Sequence, residues 1–161
     1  MENPAQLMTW TIILSCLGSG MMAGLFVSFS SFMMKAFSSL ENEEGMRAMQ
    51  AVNRFILRPS FLFVFLGTAV LSVAAALLAY LSQGPWAYAI SASATYVIAC
   101  ILSTIRFNIP LNDRLEKTDP LTVEGHEFWR QYVNQWTKWN HVRALACVVT
   151  AILLAISLTK I

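Results

Sequence analysis

The chain has 161 residues, of which 57% are hydrophobic and only 12% charged, and its mean hydropathy is +0.56. Ordinary soluble domains carry about twice that share of charge, so composition excludes a water-soluble globular protein. The length allows one compact unit without a separate soluble domain, and a net charge of +2 argues against a nucleic-acid partner. Long apolar runs predict an all-α, integral membrane four-helix bundle over residues 1–161, with spans at about 7–37, 60–81, 86–106 and 136–158.

The first run, Leu7 to about Phe37, has Lys35 as its only charge. Glu2 is the only charge before it, so it lacks the basic start of a signal peptide and reads as a retained helix. Cys16, Gly20, Gly24 and Ser28 recur every four residues along it. That stripe of small side chains predicts close packing against another helix of this chain or of a second copy, and it could also leave a slot for a flat ligand. Cys16, Cys100 and Cys147 all lie in apolar runs with no zinc or redox spacing, so they are read as small packing residues.

Ser38 to Arg58 turns polar, and Met46, Met49, Val52, Asn53, Ile56 and Leu57 keep helical spacing within it. This predicts an amphipathic interfacial helix, with Gln50, Asn53 and Leu57 on one face. Pro59 suits the first turn of the second span, and Ser82 to Pro85 reads as a tight turn. The third span carries Trp86 and Tyr88 as interfacial anchors and closes at Arg106. Proline disfavours helix in the residue before it, so Ile109-Pro110 predicts a break, with Asn108 and Asn112 free to satisfy exposed backbone groups.

A polar loop is expected from Glu116 to Glu127, with the last helix starting near Gly125 and reaching about Leu158. Trp129, Tyr132, Trp136, Trp139, Asn140 and Arg143 are spaced three, four, three, one and three, so they share a continuous helical face. An interfacial aromatic belt with a snorkelling arginine would give the same pattern. Asn140 points the other way, because an amide beside an arginine at hydrocarbon depth requires partners. Asn108, Asn112, Arg106, Gln50 and Asn53 are the candidates, and together they predict a polar pocket for a small ligand.

His141 is the natural general base beside this face, although it points about 100° away from Asn140 on a helix. His126 sits in Glu124-Gly-His-Glu127, which leaves a metal at His126 or His141 as an alternative, while the residues as a whole imply none. Ten basic residues flank the two large loops against Lys160 alone at the other face, so the loops are expected in the cytoplasm and both termini outside.

Asn108-Ile-Pro-Leu-Asn112 with Leu115, followed by Trp129, Trp136, Trp139-Asn140 and Arg143, resembles the DUF1772 membrane family, which includes anthrone oxygenases. The resemblance implies a membrane monooxygenase that needs no organic or metal cofactor and oxidises a lipophilic phenolic or quinol-type aromatic with O2. It implies His141 as base, Arg143, Asn140 and Asn108 as holders of the oxyanion, and Trp136 and Trp139 as platforms for the rings. The competing expectation is a non-catalytic membrane subunit or a bundle that binds lipid or a small molecule. Membrane lipid and a second copy, joined through the Gly20 and Gly24 face, are the other expected partners.

Overall fold

The computed structural model describes residues 4–161 and is helical throughout, with five helices; Glu2 lies outside the described residues. Four helices are long and apolar enough to cross a membrane: α1 (Ala5–Ser38), α3 (Pro59–Leu81), α4 (Trp86–Lys117) and α5 (Val123–Leu158). The short α2 (Asn42–Ile56) lies between the first two. α1 packs on α3 and α5, and α4 packs on α3 and α5, so the four spans close into a ring. α2 covers the end of that ring where α1 and α4 finish and α3 and α5 begin.

Side-chain volume grades along the bundle axis. At the uncovered end the core is Met8, Ile12, Ala75, Ala76, Ala79, Ala89, Ala92 and Leu154, where alanines let the helices approach closely. The middle holds Phe26, Phe65, Tyr96, Cys100 and Cys147. Beneath α2 the core becomes Phe29, Met46, Met49, Phe128, Trp129, Tyr132 and Trp136. Bulky rings hold the helices apart there, and this is the end at which the polar residues collect.

Several local features differ from the sequence reading. α4 continues through Pro110 to Lys117, with wide π turns at Thr95–Leu102 and Thr104–Asn108. The Ile109 amide reaches back five residues to the Thr104 carbonyl, and this widened turn accommodates a proline that has no N–H of its own and needs room for its ring. The expected break is therefore absorbed within a continuous helix. α5 starts at Val123, two residues before the expected Gly125, because Thr122 caps it by accepting from the Gly125 amide at 3.0 Å. Glu124, His126 and Glu127 thus belong to its first turns and not to a loop. All three cysteines are free, and Cys147 Sγ donates to Cys100 Sγ at 3.6 Å.

Of the small-residue stripe, the two glycines face away from the bundle. Gly20 and Gly24 are exposed, and a Cβ on either would meet nothing within 4 Å, so neither serves packing within the chain. Close approach occurs one residue type away in the pattern, at Gly18, where a Cβ would overlap the Thr68 side chain. Pro59 takes the first turn of α3, as its fixed φ favours.

Candidate functional site

Asn140 and Arg143 lie one turn apart on α5 and both point into the bundle, at 0% and 5% exposure. Arg143 Nη2 donates to Asn140 Oδ1 at 2.8 Å. That bond fixes the orientation of the amide, whose nitrogen donates across to α1, to the Phe26 carbonyl at 2.7 Å and to Ser30 Oγ at 2.7 Å. The guanidinium lies over the Phe26 ring at 4.5 Å and the Trp136 ring at 5.0 Å. Aromatic faces solvate a cation partially, and they do so best where water is excluded.

Among the described residues Arg143 has no anionic partner. The two salt bridges among the described residues are Arg47–Glu43 and Arg54–Glu116, both exposed. Arg143 Nε, Trp136 Nε1 and Asn108 Oδ1 are buried with no hydrogen-bond partner. Unsatisfied polar atoms in an interior are costly, and a buried guanidinium cannot neutralise itself by losing its proton. The site therefore holds unspent capacity to receive an anion.

A cleft of about 120 Å³ reaches this cation, lined by Phe26, Phe29, Met49, Asn53, Phe61, Phe65, Thr104, Asn112 and Trp136 among others. It joins an outer mouth of about 250 Å³ through five shared residues, Asn53, Ile56, Leu57, Ile109 and Asn112. Common ligand pockets begin near roughly 300 Å³, and only the joined space is of that order. The mouth adds Arg54, Asp113 and Glu116, with Arg54 Nη1 paired to Glu116 Oε1 at 3.1 Å between α2 and α4. Along one wall the Tyr132 hydroxyl donates to Asn112 Oδ1 at 2.8 Å and accepts from Asn53 Nδ2 at 3.5 Å.

The structure brings together Asn140, Arg143, Trp136, Asn53 and Asn112 from the sequence-predicted set. Asn108 is buried nearby and donates to the Trp136 carbonyl at 3.4 Å, so it and Asn112 join helices and do not cap a break. Gln50 has a different task. Its amide donates to the Leu115 and Thr118 carbonyls at 2.9 and 3.1 Å, which fastens α2 to the end of α4.

Trp139, Arg106, His141 and His126 lie away from the cleft. Trp139 stacks on Phe107, with ring centroids 3.5 Å apart and planes 4° apart, and Arg106 lies over Phe107 at 5.4 Å. Arg106 is exposed and Trp139 is half-buried, so the pair sits at the bundle surface and not in the cleft. His141 is exposed and lines a separate groove between α1 and α5. His126 Nε2 lies 2.8 Å from the Pro120 carbonyl, where it ties the loop to the start of α5. Among the described residues no three His, Cys, Asp or Glu side chains gather in one place.

Sequence reasoning missed Phe26, Ser30 and Tyr132 as members of the site. Phe26 and Ser30 stand four apart on α1, so their spacing held a signal, but in an apolar run nothing distinguishes them from packing residues. A family model described as anthrone oxygenase matches residues 60–153. No curated protein and no solved structure matches the chain.

Proposed function

Because the chain belongs to the anthrone oxygenase family, we propose that it is a membrane monooxygenase that binds a lipophilic phenolic or quinol-type aromatic as its enolate and lets it react with O2. The observation that carries this reading is the buried, unpaired guanidinium of Arg143 at the head of an apolar aromatic cleft. A ring-carbonyl or phenol oxygen beside Arg143 would gain a positive partner in a water-poor site as charge develops on it, which is where such a partner is worth most. Phe26, Phe29, Phe61 and Trp136 supply flat apolar surface for the rings. Asn140, held by Phe26 and Ser30, keeps the guanidinium aimed.

In this scheme a carbon-bound proton leaves the substrate and its electron pair moves to the oxygen beside Arg143. The electron-rich carbon then forms a bond to O2, the peroxide anion takes a proton back, and the hydroperoxide loses water, with the remaining hydrogen of that carbon, to leave a new carbonyl. The protein binds, orients and excludes bulk water. His141 faces away from the cleft, so we place the departing proton at the mouth, where Asp113 and Glu116 share a wall with Asn112. We also place both large loops and this mouth on the cytoplasmic side, following the distribution of basic residues.

The test is O2 consumption by detergent-purified protein supplied with a hydroxyanthrone. Turnover in the wild type and its loss in Arg143→Gln support the proposal, while no acceleration over the uncatalysed rate contradicts it. One observation favours a second reading, a non-catalytic binding bundle: neither histidine nor any carboxylate lines the inner cleft itself. Binding of the hydroxyanthrone with no gain in O2 consumption would select that reading.

A further inference from the structure

On the other side of Asn140 from the cleft lies a groove of about 360 Å³ between the end of α1 and α5, lined by Ser30, Lys35, Ser38, Asn134, Thr137, Lys138 and His141 with Met34 and Val133. No carboxylate lines it, and neither lysine takes part in the salt bridges among the described residues. The groove is thus a concave surface with uncompensated positive charge.

Two hydroxyls in it have unused hydrogen-bonding capacity. Ser28 and Ser31 return their hydroxyls to the Gly24 and Val27 carbonyls four residues back, at 2.8 and 2.7 Å. The equivalent acceptor for Ser30 is the Phe26 carbonyl, which Asn140 occupies. Ser30 Oγ instead accepts from Asn140, and its own hydrogen has no protein acceptor. Thr137 Oγ1, on the facing helix, is buried without any partner.

Depth identifies what reaches this groove. Lys138 stands 20 residues before Leu158, the end of α5. At 1.5 Å per residue that is about 30 Å, the thickness of the hydrocarbon core, so Lys138 lies at the headgroup level. Lys35 follows some 30 residues of α1 and reaches the same zone.

We propose that this groove binds a phosphate oxyanion supplied by an acidic membrane lipid, with Lys35 and Lys138 giving the charge and Ser30 and Thr137 donating hydrogen bonds. Through Ser30 the bound headgroup would touch the residue that holds Asn140, and hence the anchor of Arg143. The proposal stands without the oxygenase reading, since it concerns a different surface and a different ligand.

The experiment is native mass spectrometry of the full chain in detergent, with phosphatidylglycerol competing against phosphatidylcholine and, separately, with inorganic phosphate alone. Each basic residue near a membrane surface contributes about fivefold in affinity for acidic lipid, so the wild type should prefer phosphatidylglycerol by tenfold or more. Lys35→Gln with Lys138→Gln should abolish the preference, and Ser30→Ala with Thr137→Val should weaken it severalfold. Arg54→Gln with Arg58→Gln, at the same end of the bundle but outside the groove, should lower it less than the lysine variant does. Binding of inorganic phosphate with the same lysine dependence would support the anion site but assign it to a soluble phosphate. Equal retention of the two lipids by the wild type without phosphate binding, or an unchanged preference in the lysine variant, overturns the site.

Discussion

Two clusters of arginine and aromatic rings lie within two turns of each other along α5, one completed by α1 and the other by α4, and they behave as different chemistry. In the inner one Arg143 sits between Phe26 and Trp136, is 5% exposed, and hydrogen-bonds only to Asn140. In the outer one an exposed Arg106 lies over Phe107, which stacks on Trp139 at the bundle surface. Residue types are nearly the same. Only the inner guanidinium is withdrawn from water, and only there do residues with orphaned polar atoms line a cavity. A cation–π contact is worth about 0.5–1 kcal/mol at an exposed site and about 2 or more when desolvated, so burial turns a surface ornament into a binding group.

The largest effect expected from this contrast is on Arg143. Replacing it with Gln should lower hydroxyanthrone-dependent O2 consumption by about 100- to 1,000-fold, the usual consequence of removing a preorganised oxyanion partner. Asn140→Ala comes next. It frees the Arg143 fork and removes the tie from α5 to the Phe26 carbonyl and Ser30 of α1, so thermal unfolding in detergent should show a loss of about 1–3 kcal/mol, with turnover falling roughly tenfold. Tyr132→Phe removes the bond to Asn112 along the cleft wall and should cost about 0.5–1.5 kcal/mol with a severalfold loss of turnover. The outer cluster should respond least: Arg106→Gln combined with Trp139→Phe should leave turnover within about twofold and stability within about 0.5 kcal/mol in the same assays. A large loss in that double variant would break the contrast.

The periodicity of α5 placed Trp136, Asn140 and Arg143 on one face, and a regular 36-residue helix kept that placement. Four spans were legible for the same reason, since hydrocarbon thickness dictates their length. The fate of α4 was not. Its π turns add a residue to each turn they occupy, so 3.6-residue spacing ceases to report direction, and Arg106 rotates outward while Asn108 and Asn112 turn inward. Pro110 signalled irregularity at the right place but of the wrong kind. On α1 the sequence left open which small residues pack within the chain, because a small residue looks the same whether it packs, as Gly18 does, or lies open, as Gly20 and Gly24 do. Ser30 was hidden for a related reason, since its role depends on Asn140 taking the carbonyl that a helical serine would otherwise use.

If Arg143 receives an anion from the ligand, the absorption spectrum of a bound hydroxyanthrone reports it. Under anaerobic conditions, titrating the ligand into the wild type and into Arg106→Gln should produce the absorbance of its ionised form. Arg143→Gln should bind it with the neutral spectrum or not at all. The same spectrum in all three proteins would contradict the account.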